Sequence, residues 1–186
     1  MRTPTDIVIL IERLARVLHS EAHADGLKPT QWEALRYLSR ANRFSRTPSA
    51  LTAYLGMTKG TVSQTLNALE RKGLIEKSTD AADKRQVSVA LTRAGGRRLK
   101  NDPVALILTS ASKLSVGERE SLAKTLEFLL KDMLRQREGR AFGACKTCRY
   151  FEKNAKGGAP HRCGLLEVAL SPADSTHICV EHEEAA

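Results

Sequence analysis

Cys145, Cys148, Cys163 and Cys179 are all the cysteines of a 186-residue chain, and they fall in its tail with the spacing C-x2-C-x14-C-x15-C. The N-terminal apolar run Ile7–Ile11 is short and directly flanked by Asp6, Glu12 and Arg13, so neither a signal peptide nor a membrane span is expected. A cytoplasmic protein with no membrane partner follows. In a reducing compartment, clustered cysteines point to a metal before disulfides. Four thiolates suit structural zinc. Zinc ribbons usually bring two C-x2-C knuckles, however, whereas here one close pair is joined by two isolated cysteines. A thiol–disulfide switch is a further reading. His161 and His177 each stand two residues before a cysteine and are candidate ligands, or partners that orient a ligand. His19 and His23, four apart, read as ordinary helix residues.

Something must position these groups, because the tail holds too few apolar residues to form a core unaided. Length predicts one main domain and a small appendage. The boundaries read as a main domain over 1–137, a linker over 138–143 and a cysteine-rich module over 144–186. Charge divides the same way: residues 1–140 hold 25 Lys/Arg against 15 Asp/Glu, and residues 141–186 hold 5 against 6. A basic main domain within a net charge of +9 suggests a polyanionic partner, most simply nucleic acid, with a merely solvated basic surface as the alternative. Aromatics at 4% leave Leu, Ala and Val to pack a mainly helical core.

Helical periodicity runs through residues 5–24 on Ile7, Ile11, Leu14 and Leu18, and from Pro29 through Trp32, Leu35 and Leu38. Thr47-Pro48 opens a short helix that ends at Gly56, and Thr58 caps another that stops at Gly73. Two short helices about a glycine turn read as helix-turn-helix. In the second, Val62, Leu66 and Leu69 face inward. Thr58, Lys59, Thr61, Ser63, Gln64 and Asn67 are then the candidate DNA-reading side chains, since Gln and Asn pair with adenine edges and Lys with guanine or phosphate. Residues 74–77 and 86–91 predict a β-hairpin, with Lys84 and Arg85 at its tip placed to meet phosphate or the minor groove. Residues 93–112 read as a helix broken near Pro103. Ser115-Val116-Gly117-Glu118 is a capping box before an apolar stripe on Leu122, Leu126, Leu129, Leu130 and Met133.

The runs PTQWEALRYLSR, TPSALTAYLGMTKGTVSQTLNALERKGLIEK and DAADKRQVSVALTRAGGRRL resemble the MarR family of winged-helix repressors over roughly residues 5–137. The resemblance implies a homodimer joined by the first and last helices of that span, reading a near-palindromic operator on double-stranded DNA. It also implies, in many relatives, a small-molecule effector bound between the DNA-binding and dimerisation regions. The cysteine spacing, with Tyr150-Phe151 after the close pair, resembles the cluster-binding pattern of high-potential iron–sulfur proteins. That resemblance implies an iron–sulfur cluster, [4Fe–4S], with zinc as the alternative.

The expected fold is mainly α with a small β-hairpin, a winged helix-turn-helix dimer plus a small C-terminal metal-stapled module. The expected function is a DNA-binding transcriptional regulator, a repressor, whose operator binding responds to iron, oxygen or redox state. Because the tail follows the helix at 115–137, cluster loss is expected to relax a segment packed there and change the spacing of the recognition helices. The alternative is a small-molecule-responsive regulator with a structural zinc tail, and a further one is an electron carrier. The chain carries no nucleotide-binding glycine loop and no nucleophile–base pattern with catalytic context, so an enzyme is not expected.

Overall fold

Local signals place the helices in a computed structural model that describes residues 2–21, 26–79, 87–155 and 160–185. Helix α1 (Pro4–Glu21) is followed by α2 (Pro29–Arg40). The Thr47 hydroxyl accepts the Ala50 N–H at 3.1 Å and opens α3 (Pro48–Leu55), which Gly56 ends in the left-handed region at φ 62°. Thr58 does the same for α4 (Lys59–Arg71) by accepting the Thr61 N–H at 3.2 Å.

Strands β1 (Ile75–Thr79) and β2 (Val87–Leu91) pair antiparallel, with Ile75 opposite Leu91 and Thr79 opposite Val87. Ser78 and Thr79, expected in the loop, continue the first strand because each finds a partner in the second. Helix α5 (Arg93–Arg98) passes into a 3-10 turn, Leu99–Asn101, and the break at Pro103 separates it from α6 (Ala105–Ser112). Asp102 sits at that break, bonding the Val104 N–H at 2.9 Å and the Arg36 guanidinium at 2.8 Å. The Ser115–Glu118 capping box opens α7 (Val116–Gln136).

The core lies among α2, α3, α4 and the hairpin. Trp32, Leu35, Tyr37, Leu38, Leu51, Val62, Leu66 and Leu69 are at most 1% exposed, each contributing roughly 1.5–3 kcal/mol by leaving water. Helices α1, α6 and α7 bury no described residue within the chain. Their apolar stripes stay open: Ile7, Leu10 and Leu14 on α1, and Leu122, Leu126 and Leu130 on α7, are all about half exposed.

The tail forms two small sheets. Strand β3 (Gly143–Ala144) pairs with β7 (Ile178–Cys179), and β4 (Phe151–Lys153), β5 (His161–Cys163) and β6 (Val168–Leu170) make an antiparallel sheet in that order. A short helix α8 (Pro172–Thr176) joins β6 to β7. Two expectations change here. The end of the expected linker is packed: Phe142 meets Tyr37 and Tyr54 edge-on, with ring centroids 6.1 and 5.1 Å away, and Gly143 is already in a strand. The tail also docks on the turn between α2 and α3 rather than on α7. Among the described residues it meets α7 at the exposed ion pair Lys131–Glu184, 2.6 Å apart, a kind of pair worth at most about 1 kcal/mol. Among the described residues, no helix is long and apolar enough to cross a membrane.

Candidate nucleic-acid interface and cysteine site

Helix α4 divides as its sequence predicts. Val62, Leu66 and Leu69 are buried, while Thr58, Lys59, Thr61, Ser63, Gln64 and Asn67 lie on the outer side. They are not equally available. Thr58 is occupied as the cap, and its hydroxyl lies 2.9 Å from that of Thr61. Asn67 Oδ1 accepts Lys77 Nζ at 2.6 Å, and the same ammonium pairs with Glu70 at 2.8 Å. Lys77, on β1, thus ties the hairpin to the reading helix, a role that sequence reasoning missed and that only the exposed register of a half-buried strand could have suggested. Lys59, Ser63 and Gln64 have no side-chain hydrogen bond among the described residues and are the free readers. With Ser49, Thr52 and Lys77, Lys59 and Ser63 line a groove between α3, α4 and the hairpin. Lys84 and Arg85 lie outside the described residues, as does His23.

All four cysteines line one cavity, with Tyr150, Phe151, Leu165, Leu170 and Glu181 completing its wall. Cys145 and Cys179 are buried at 7% and 6% exposure, Cys148 and Cys163 half-buried, and all four are free thiols. They arrive on separate elements: Cys145 and Cys148 at the start and end of a 3-10 turn, Cys163 at the end of β5, Cys179 at the end of β7. Hydrogen-bond donors aim at the sulfurs, with Asn42 Nδ2 at 3.2 Å from Cys145 Sγ and the Leu166 N–H at 3.5 Å from Cys163 Sγ. Cys145 and Cys179 lie side by side, with the Cys145 thiol directed to the Cys179 sulfur. That contact, supported by Asn42, Glu181 and Ser45 and opposed by burial, holds Cys179 down at about 6, while Cys145 is pushed up by the same contact and by burial. Of this pair, Cys179 is the one poised as thiolate, the form that binds metal. Among the described residues, no three His, Cys, Asp or Glu side chains converge closely enough to grip a single ion.

Neither candidate histidine lines that cavity. His161 packs its ring on Phe151, with centroids 4.9 Å apart, and its buried Nδ1 has no partner among the described residues. His177 acts through its backbone, its carbonyl accepting the Cys145 N–H at 3.1 Å. His19, on α1, lines a separate cleft with Ala15, Leu18, Pro29, Glu33, Arg36 and Val104. His182 lies against Gly143, where a side chain would collide with its ring, and its Nε2 is 2.9 Å from the Thr147 hydroxyl.

Two residues that sequence reasoning passed over complete the site from the main domain. Asn42 and Ser45 are fully buried in the α2–α3 turn. Asn42 Oδ1 accepts the Ser45 N–H at 2.9 Å, and Ser45 Oγ accepts the Val180 N–H at 2.9 Å. Asn followed three residues later by Ser is a turn signature, but nothing local announces that its other side faces a cysteine 103 positions away.

Residues 25–86 match the MarR family. No curated protein matches the chain. Among solved structures, an S. aureus MepR–DNA complex is similar at 25% identity and a TM-score of 0.56, covering 72% of this chain and 99% of that one. A probable transcriptional regulator from Pseudomonas aeruginosa is 26% identical with a TM-score of 0.52, over 68% of this chain and 96% of its own. The transcriptional regulator SlyA is 20% identical with a TM-score of 0.60, over 72% of this chain and 97% of its own, a likeness of fold. Two of these are transcriptional regulators and one is bound to DNA, and each leaves more than a quarter of this chain uncovered. The chain is thus a mainly helical winged helix-turn-helix protein whose residues 25–86 match the MarR family and whose main domain is similar in fold to MepR and SlyA.

Proposed function

We propose that the chain is a sequence-specific DNA-binding transcriptional regulator, a homodimeric repressor, whose tail holds an iron–sulfur cluster on Cys145, Cys148, Cys163 and Cys179. The observation that carries the DNA reading is the outer face of α4, where Lys59, Ser63 and Gln64 stand exposed beside a hairpin wing while the opposite face is locked in the core. The 25% identical MepR bound to DNA supports it. The open apolar stripes of α1 and α7 support the homodimer, and two reading helices related by a dyad select a near-palindromic site.

The thiol set fits a cluster. Four buried or half-buried thiols with N–H donors aimed at sulfur are the ligand environment that four-cysteine clusters use. The spacing of one close pair and two isolated cysteines, in place of two C-x2-C knuckles, supports a cluster over a zinc ribbon. When bound, such a cluster supplies an iron- or oxygen-sensitive redox centre. This chain's residues hold it, shield it behind Leu170 and Phe151, and tie it to the α2–α3 turn.

Selection of duplexes from a random library by the anaerobically purified protein, followed by gel shift, tests the first reading: enrichment of an inverted repeat is expected, and uniform, salt-sensitive binding to all duplexes refutes it. Iron, sulfide and zinc analysis tests the second: bound iron with equimolar sulfide is expected, whereas one zinc per chain makes the tail a zinc staple. A small-molecule effector is a second reading, favoured by the cleft between α1 and α2 that Leu18, Glu33, Arg36 and Val104 line. A shift in thermal midpoint on adding small phenolic acids, lost in Arg36→Ala, would support it.

A further inference from the structure

We infer that the α2–α3 turn, through Asn42 and Ser45, couples occupancy of the cysteine site to the DNA-reading head. This rests on reading the cysteines as a metal or cluster site.

The turn belongs to both modules at once. On the tail side, the Asn42 amide donates to Cys145 Sγ at 3.2 Å, the Asn42 N–H donates to the Ile178 carbonyl at 2.9 Å, and Ser45 Oγ accepts the Val180 N–H at 2.9 Å. The residues on either side of Cys179 are therefore pinned by Asn42, which also holds Cys145, and by Ser45, which Asn42 holds in turn. On the DNA side, the Arg46 carbonyl accepts the Val89 N–H of β2 at 2.7 Å, and Thr47 caps α3. Between the two sides, the Tyr37 hydroxyl donates to the Ser45 carbonyl at 2.6 Å, and Asn42 Oδ1 holds the Ser45 N–H.

Asn42 and Ser45 are both 0% exposed. Buried polar groups are costly unless every one is satisfied, so the turn cannot shift at one end and stay paired at the other. With a ligand bound, the cysteine sulfurs are fixed, and so is the acceptor on which Asn42 depends. Once the site is emptied, that acceptor is free to move, Asn42 loses its fixed partner, and the turn that sets the start of α3 and the root of the wing loosens. Occupancy therefore tightens DNA binding. The route runs through the reading head of each protomer, not through the spacing of the dimerisation helices, which the tail meets at the exposed Lys131–Glu184 pair.

The test uses the full-length protein, anaerobic with bound iron and sulfide, or stripped with a chelator, and a duplex selected by the wild type. Wild-type DNA affinity should fall at least about 10-fold on stripping, a coupling of ordinary size. Asn42→Asp keeps the acceptor for Ser45 but removes the donor to sulfur; compared with the wild type at matched iron and sulfide loading, it should shrink the change to under about 2-fold. Lys131→Ala should leave the full change in place. Amide hydrogen exchange on the wild type reads the same link without any substitution: the Val89 and Val180 amides should lose protection on stripping. The inference is overturned if Asn42→Asp retains the wild-type change, if Lys131→Ala abolishes it, or if Val89 protection is indifferent to stripping. A loaded wild type whose DNA affinity does not change overturns the inference and leaves the cluster as a staple. Absence of bound metal removes the cofactor reading together with the inference, while the DNA-binding reading is judged separately by the duplex selection.

Discussion

A single charge placed on the seam of the dimer tests the quaternary reading. Ile7, Leu10, Leu14 and Val17 on α1 and Leu122, Leu126, Leu130 and Met133 on α7 are 46–58% exposed in the isolated chain. Burying the remaining half of each contributes about 1 kcal/mol, so two protomers gain about 16 kcal/mol. That exceeds most of the roughly 4–15 kcal/mol that association costs, which predicts a dimer at micromolar concentration. Leu126→Glu removes about 2 kcal/mol of that gain over two copies and buries two carboxylates at several kcal/mol each. The dimer should weaken by more than about 4 kcal/mol, or about 1,000-fold in dissociation constant. Sedimentation velocity over a dilution series measures this directly, with Lys124→Glu, at an exposed position off the stripe, as the control. A wild type that sediments as a monomer, or a Leu126→Glu variant that dimerises as tightly as Lys124→Glu, refutes the assignment of this seam.

Three further outcomes follow from individual contacts. Gln64→Ala, on an exposed position of α4, should weaken binding to the selected duplex by about 1–3 kcal/mol with no change in thermal midpoint; fluorescence anisotropy and a thermal melt separate the two effects. Thr58→Ala removes the cap that receives the Thr61 N–H and should cost about 1 kcal/mol of unfolding free energy, read from denaturant titration. Leu170→Ala, at a position 2% exposed in the tail, should cost about 2.7–5 kcal/mol; an unchanged unfolding midpoint would mean that the tail contributes nothing to the stability of the main domain.

Much of the main domain is legible because its signals are local. Thr47-Pro48, Thr58, Gly56, Gly73 and the Ser115–Glu118 box each specify a helix end through bonds made within a few residues, and the break at Pro103 follows from its missing N–H. The inward set Val62, Leu66 and Leu69 is equally readable from a period of 3.6. The convergence of four cysteines on one cavity follows from their clustering in the tail, yet the surface on which the tail docks does not. Asn42 and Cys145 are 103 residues apart, and no periodicity reaches that far. The same limit hides Lys77, whose bond to Asn67 crosses from strand to helix and removes one of the expected readers from service.

Phe142 carries a broader consequence. Its ring lies edge-on to Tyr37 and Tyr54, and Ile178 and Val180 pack on the same core from the far end of the tail. Two returns of the tail are therefore part of the interior that supports the reading helix. A tail of this kind cannot be grafted onto another winged helix by joining it after the last helix. The recipient would need Asn at the head of the α2–α3 turn, Ser three positions on, and an aromatic cleft between α2 and α3. The tail therefore depends on residues about a hundred positions upstream, and trimming it uncovers Tyr37 and Tyr54 in the core behind α4.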